Sequence, residues 1–245
     1  MNEFPAPLKI IDNERFYCRV YGEGPPVMLI HGNRGSGDSF APMIPLMKGY
    51  QLIAPDLPGH GNASPMPNGF MDNPEMAVDY CFGITDSLGV ENFTIIGHSL
   101  GGMIGLLMHL MFRERISGIV LLDSFVTMSE RPKELLRVAP YPYTDERTSL
   151  QIMDCLNKGP GVNWYKTFDV SGRIKDITCP VFELQGESTP DTQEIFDEWL
   201  KEKRNGFPKA WEVVRILNSA HFLQFEQTKE ITDKILPWLC LTCAG

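Results

Sequence analysis

The sequence predicts an α/β fold, a mostly parallel central sheet with helices on both faces. Three observations carry this. Short runs such as Pro26–Ile30 (Pro-Val-Met-Leu-Ile) are apolar at nearly every position, as strands buried on both faces are. Longer helix-like segments fall between these runs, so strand and helix alternate along the chain. Two runs end directly in glycine-containing turns, His31-Gly32 and Gly97-His98-Ser99-Leu100-Gly101. Open sheets of this class carry their sites at such carboxyl ends.

Each element follows in order. Arg15–Tyr21 alternates and reads as an early strand. Pro26–Ile30, Tyr50–Ala54, Phe93–Ile96, Ile119–Leu122, Val181–Leu184 and Trp211–Leu217 complete the strands. Helices are expected over Ser39–Met47, Pro74–Leu88, Gly101–Phe112, Asp191–Lys203 and Gln227–Leu239. Asn73-Pro74 offers an N-cap with a proline in the first turn. The interval Ser124–Thr178 breaks the rhythm. It is about 55 residues long where a single crossover helix would do, and unstructured loops of that length are uncommon. It reads as a small helical insertion at about 124–178 that leaves a strand's carboxyl end and roofs the site. No repeat or linker divides the chain, so residues 1–245 are read as one domain with a lid.

With 245 residues and 43% hydrophobic content, the chain can bury one large core. Its formal net charge of -9 disfavours nucleic acid and anionic membrane surfaces. No apolar run is long enough to span a bilayer, and the N-terminus lacks the pattern of a signal peptide. Six cysteines are too sparse for a disulfide scaffold. Cys240 and Cys243 have C-x-x-C spacing but no second pair or nearby histidine to complete a zinc site. A reducing cytoplasmic setting is expected. The expected partner is a small-molecule substrate, not nucleic acid or membrane, with self-association into a homodimer left open. Nothing in the sequence asks for a metal or an organic cofactor.

The stretch Phe93 to Gly102 carries the most chemistry. A strand runs into Gly-x-Ser-x-Gly, and an apolar helix follows. Such a turn forces its central residue into a strained conformation and lifts the Ser99 hydroxyl above the sheet edge. There it faces a helix N-terminus, whose free N–H groups favour developing negative charge.

With these pieces the chain resembles the α/β-hydrolase superfamily over nearly its whole length. They come in the family's order: His31-Gly32, then Asp56-Leu57-Pro58-Gly59-His60-Gly61, then Gly97-His98-Ser99-Leu100-Gly101-Gly102, then Ser219-Ala220-His221-Phe222. The resemblance implies that Ser99 is the nucleophile and His221 its base. It also implies an oxyanion hole built from the backbone N–H groups of Asn33 and Leu100.

The chain has five histidines, and a residue-level reading also leads to His221. His98 should point opposite to Ser99, and His109 lies within an apolar helix. His31 and His60 sit in glycine turns, where the family uses them structurally. His221 follows the last strand at its carboxyl end, within reach of an elbow serine.

The third member of a triad is less direct. The family's usual acid stands a few residues after the glycine that ends the next-to-last strand. At that spacing from Gly186 the residue is Thr189. Glu187, Asp191 and Asp123 compete. Asp191 follows Pro190 and can cap a helix. Asp123 closes the buried run Ile119–Leu122, where a carboxylate is costly unless paired. Asp123 is therefore taken as the acid.

These residues lead first to a hydrolase of a carboxylic ester or lactone. The stretch His31–Pro42 is similar to small lactonases of the superfamily. An aspartate in place of Ser99 would be needed for haloalkane dehalogenation. Cofactor-free dioxygenases of 3-hydroxy-4-quinolones are the alternative, because "GIVLLDSF" (residues 118–125) resembles that branch. Against it stand Leu100, where that branch commonly has histidine, and the small loop Asn33–Gly37. Trp164 in the insertion is a candidate to shield a flat substrate. A ligand receptor that retains the triad is the third class.

Overall fold

The computed structural model describes residues 6–65, 67–68, 70, 72–126, 150–151, 154, 158–159, 167–186 and 206–242. Among them, eight strands form one sheet: β1 Lys9–Asp12, β2 Tyr17–Tyr21, β3 Pro26–Ile30, β4 Gln51–Asp56, β5 Phe93–His98, β6 Ile116–Leu122, β7 Val181–Gly186 and β8 Trp211–Ile216. Their spatial order is β1-β2-β4-β3-β5-β6-β7-β8. The β1–β2 and β2–β4 pairs are antiparallel, and every later pair is parallel.

Alternation within the apolar runs divides the core. On β3, Met28 and Ile30 join Ile95, Ile119 and Leu121 on one face of the sheet. That face packs against α1 (Glu75–Ser87) and α2 (Leu100–Met111), through Val78, Cys81, Met103 and Ile104. Val27 and Leu29 join Ile96, Val120 and Leu122 on the other face. There they meet Phe40, Met43 and the inner side of α4 (Thr228–Thr242), Ile231, Ile235 and Leu239. Both faces are covered, so period-2 polar alternation is absent from the central strands.

Several expectations are corrected. Ser39–Met47 is not one helix but two short 3-10 turns, Gly37–Phe40 and Ile44–Leu46. Pro42 and Pro45 each remove a backbone donor and exclude a continuous α-helix. The hairpin partner β1 was not foreseen, because only Ile11 of its four residues is buried. The first strand begins at Tyr17 rather than Arg15, since Asn13 Oδ1 accepts the N–H groups of Arg15 and Phe16 in a turn (2.9 Å each). The α1 start is displaced by one residue. Pro74 is the cap, and Asn73 Oδ1 accepts the Glu75 N–H at 2.9 Å. The expected helix Asp191–Lys203 lies outside the described residues. No helix among the described residues is long and apolar enough to cross a membrane.

The loops after β3 and β4 are fastened together from below. Arg19 on β2 reaches Asp56 Oδ1 at 2.9 Å and Asp38 Oδ2 at 3.3 Å. The same Asp56 carboxylate accepts the N–H of Gly37 (2.7 Å) and of Asn62 (2.8 Å). A fully buried carboxylate is tolerated because it is both ion-paired and hydrogen-bonded.

Candidate active site

Ser99 sits between β5 and α2 with φ 50° and ψ -115°, a left-handed conformation that costs a non-glycine residue about 1–3 kcal/mol. Its neighbours hold the bend. The Ser99 N–H donates to Leu122 O at 3.0 Å, and Ser99 O accepts the Ser124 hydroxyl at 2.7 Å. Glycine is required on both sides, because a Cβ on Gly97 would lie 2.4 Å from Gly102 N, and one on Gly101 would lie 1.9 Å from Ile30 O. Ser99→Gly should therefore melt at a higher temperature than Ser99→Ala. The expected gain is up to about 1 kcal/mol, strain relief less the backbone entropy of glycine. Calorimetry of the two variants checks this, and equal or lower melting of Ser99→Gly would mean that the strain is no larger than the entropy glycine loses.

Asp123 is the first residue past β6 and is also left-handed, with φ 44°. Its N–H is held by Leu184 O at 2.8 Å. Its carboxylate faces two donors. Oδ1 accepts the Gly186 N–H at 3.1 Å, and Oδ2 accepts Nδ1–H of His221 at 2.6 Å. The Asp123 side chain is almost entirely buried. A proton on Nδ1 leaves Nε2 as the basic nitrogen of His221.

The His221 loop is held against the elbow by His98. That ring is buried and donates Nε2–H to His221 O at 2.7 Å. The two imidazoles pack with centroids 4.7 Å apart. On the far side, Gly32 abuts the same elbow. A Cβ there would lie 2.7 Å from His98 Nδ1 and 3.4 Å from Ser99 Cβ. Asn33 follows directly, so the loop that bears it lies beside the N-terminus of α2, where Leu100 begins the helix.

The remaining histidines are held by the backbone of neighbouring segments. His31 donates Nδ1–H to Gly32 O (2.7 Å) and accepts the Leu57 N–H at Nε2 (3.0 Å), joining the loops after β3 and β4. His109 is buried and accepts the Thr178 N–H at 3.0 Å. Burial, and then the charge of a neighbouring histidine, pulls His31 down to about 4 and His98 down to about 3. Both stay neutral in the fold while their unfolded counterparts titrate near 6.5. As the pH falls below 6.5, the unfolded chain binds protons that the folded chain refuses, so stability is lost toward pH 4 and below. The slope is up to about 1.4 kcal/mol per pH unit for each group. Urea unfolding midpoints measured from pH 7 to pH 4 should fall steadily. A flat profile would contradict the buried neutral pair.

The insertion touches this site where it is described. Gly61 N–H donates to Lys158 O at 2.8 Å, and Lys158 N–H donates to Arg34 O at 3.2 Å. Gly159 lies against the His60 ring. Trp164, Glu187, Thr189 and Asp191 lie outside the described residues.

Sequence reasoning missed a buried polar chain behind the acid. Trp211 Nε1–H donates to Glu183 Oε2 at 2.8 Å, and Gln185 Nε2–H donates to Glu183 Oε1 and to Ser124 O, the latter at 3.0 Å. Through the Ser124 hydroxyl it ends on Ser99. The signal was present as two polar residues, Glu183 and Gln185, within an otherwise apolar strand run. A second missed residue is Glu226, whose Oε2 accepts the N–H of Ala220 (2.7 Å) and of Phe222 (3.1 Å).

The comparisons with known proteins agree with this architecture. Among curated proteins, the human serine hydrolase-like protein is 32% identical over 117 residues, 46% of this chain and 58% of that protein. The chain spans about a third to just over half the length of the serine hydrolase-like relatives it matches. Among solved structures, a thermophilic esterase from Thermogutta terrifontis superposes with TM-score 0.72 at 20% identity, covering 93% of this chain and 94% of that one. Est816, described as an N-acyl homoserine lactone degrading enzyme, gives TM-score 0.68 at 19% identity over 94% of this chain and 100% of that one. At such identities these two likenesses speak to the fold. The family profile of the alpha/beta hydrolase fold matches residues 25–148, half of the chain and the part that includes the elbow and Asp123, and the chain belongs to that family.

Proposed function

We propose that the chain is a serine hydrolase that cleaves a carboxylic ester or lactone of a small, largely apolar substrate through an acyl-enzyme. The observation that carries this reading is the 2.6 Å hydrogen bond from His221 Nδ1 to Asp123 beside a strained elbow serine. The curated relatives named as serine hydrolases and the esterase and lactone-degrading neighbours support it.

The chemistry follows from the roles. Ser99 Oγ attacks the carbonyl as His221 Nε2 takes its proton, and Asp123 stabilises the imidazolium. The N–H groups of Asn33 and Leu100 hold the oxyanion. His221 then gives the proton to the leaving alkoxide. A water molecule, activated by the same imidazole, releases the acid. The insertion at 124–178 serves as the lid of a single domain, a reading supported by the contacts of Lys158 and Gly159 with the loops after β3 and β4. Trp164 is proposed to line its underside.

A fluorophosphonate probe tests the nucleophile directly. Mass spectrometry should find the adduct on Ser99, and prior labelling should abolish p-nitrophenyl butyrate turnover. An adduct elsewhere, or none, overturns the reading. A second reading rests on the acid's place after β6, which the quinolone dioxygenases share. It predicts oxygen uptake and carbon monoxide release from a 3-hydroxy-4-quinolone in air. Catalysed carbon monoxide release would favour it over ester hydrolysis.

A further inference from the structure

We propose that Glu226 is a positioning residue for His221, acting through the two peptide N–H groups that flank it. The inference rests on the site reading above but concerns a residue outside the triad.

One oxygen of Glu226 receives both donors, Ala220 N–H at 2.7 Å and Phe222 N–H at 3.1 Å. His221 lies between them in sequence. Its own carbonyl is taken by His98 Nε2–H at 2.7 Å, and its ring by Asp123 at 2.6 Å. Three anchors from three elements thus act on one residue: β5 through His98, the end of β6 through Asp123, and the short helix α3 (Leu223–Glu226) through Glu226. The first two cannot fix the loop alone. His98 already holds the His221–Phe222 peptide by its carbonyl, and Glu226 holds the same peptide by its N–H; of the three anchors, Glu226 is the one that also holds the Ser219–Ala220 peptide just before the histidine.

Glu226 is ill suited to a role in stability. Its other oxygen, Oε1, is buried with no hydrogen-bond partner among the described residues. Burial pushes its carboxyl above the usual value, more than the two backbone donors lower it, and Asp123 adds to the rise. An amide would avoid the buried charge and could still accept both N–H groups through its oxygen. A buried carboxylate with one idle oxygen is costly for folding, yet its lone pairs accept two donors more strongly than a neutral oxygen would. The structure therefore assigns it to holding the loop.

The test compares Glu226→Ala and Glu226→Gln with wild type in two readouts. The first is steady-state hydrolysis of p-nitrophenyl butyrate. Glu226→Ala is expected to lower kcat by about 10- to 100-fold with little change in KM, the scale of a catalytic group displaced by about 1 Å. Glu226→Gln is expected to restore most of that loss. The second readout is the low-field proton NMR signal of His221 Nδ1–H against Asp123, which needs no turnover. It should broaden or vanish in Glu226→Ala and persist in Glu226→Gln. If Glu226→Ala folds and keeps both kcat and the resonance, the proposal is overturned. If Glu226→Ala does not fold, Glu226→Leu replaces it with the same expectations. Should wild type hydrolyse no ester while the resonance still depends on Glu226, the hydrolase reading fails and the positioning role stands.

Discussion

Ser99→Ala is expected to lower kcat for p-nitrophenyl acetate and butyrate by about 10⁶-fold, the scale of losing a triad nucleophile. The variant removes one oxygen and nothing that holds the elbow. The bonds of Ser99 to Leu122 and to the Ser124 hydroxyl use only main-chain atoms of Ser99. The Gly97 and Gly101 contacts are untouched, so the fold should be unchanged by circular dichroism. The oxyanion donors remain, and a residue of about 10³-fold over water should survive. Full activity of Ser99→Ala on every ester and lactone tried would remove the acyl-enzyme from consideration.

Asp123→Asn should cost up to about 10⁴-fold in kcat. The structure gives the reason at the level of protons. Oδ1 must accept the Gly186 N–H, so the asparagine carbonyl oxygen takes that place. The amide NH₂ is then left facing His221 Nδ1, where Oδ2 stood. Two donors cannot share that contact, so the proton moves to Nε2, and the nitrogen needed as base becomes a donor. Asp191→Asn serves as the comparison, with near-normal turnover and stability expected, since asparagine can replace aspartate at the helix cap that the sequence offers there. The opposite ranking would place the acid on the later loop.

Strands with continuous apolar runs were readable, because burial on both faces leaves a compositional mark that needs no partner to be seen. β3, β5 and β6 are of this kind. β1 leaves no such mark, since an edge strand draws its hydrogen bonds from the backbone of β2 and buries one side chain. Ser39–Met47 was misread because its apolar content is that of a helix, while Pro42 and Pro45 forbid the hydrogen bonds. In the site, the elbow was legible because its chemistry is local: strand, small residue, serine, small residue, helix. The contact of Asp123 with His221 spans 98 residues, and spacing alone left three carboxylates in competition. The placement depends on Gly186, where β7 comes so close to the His221 loop that a Cβ would lie 1.8 Å from Ala220 O. Glu226 was invisible for a related reason. Its donors are main-chain groups of a loop, and loop backbone direction is not written in side-chain pattern.

The Arg19–Asp56 pair has a consequence for the order in which the molecule is made. The hydrogen bonds that fix the loops after β3 and β4, from Arg19, Gly37, Asn62, His31 and Leu57, join residues at most 37 apart, all within the first 62. Short separations close at little entropic cost and early. On a ribosome these particular hydrogen bonds have both partners once β4 and its loop have emerged. The Asp123–His221 pair must wait for β8 and the loop behind it. On the hydrolase reading proposed above, a nascent chain that ends between Ser99 and His221 has its serine but not yet its base. On that reading, a ribosome-bound chain stalled before His221 should be inert toward a fluorophosphonate probe, and a released chain that includes α4 should react.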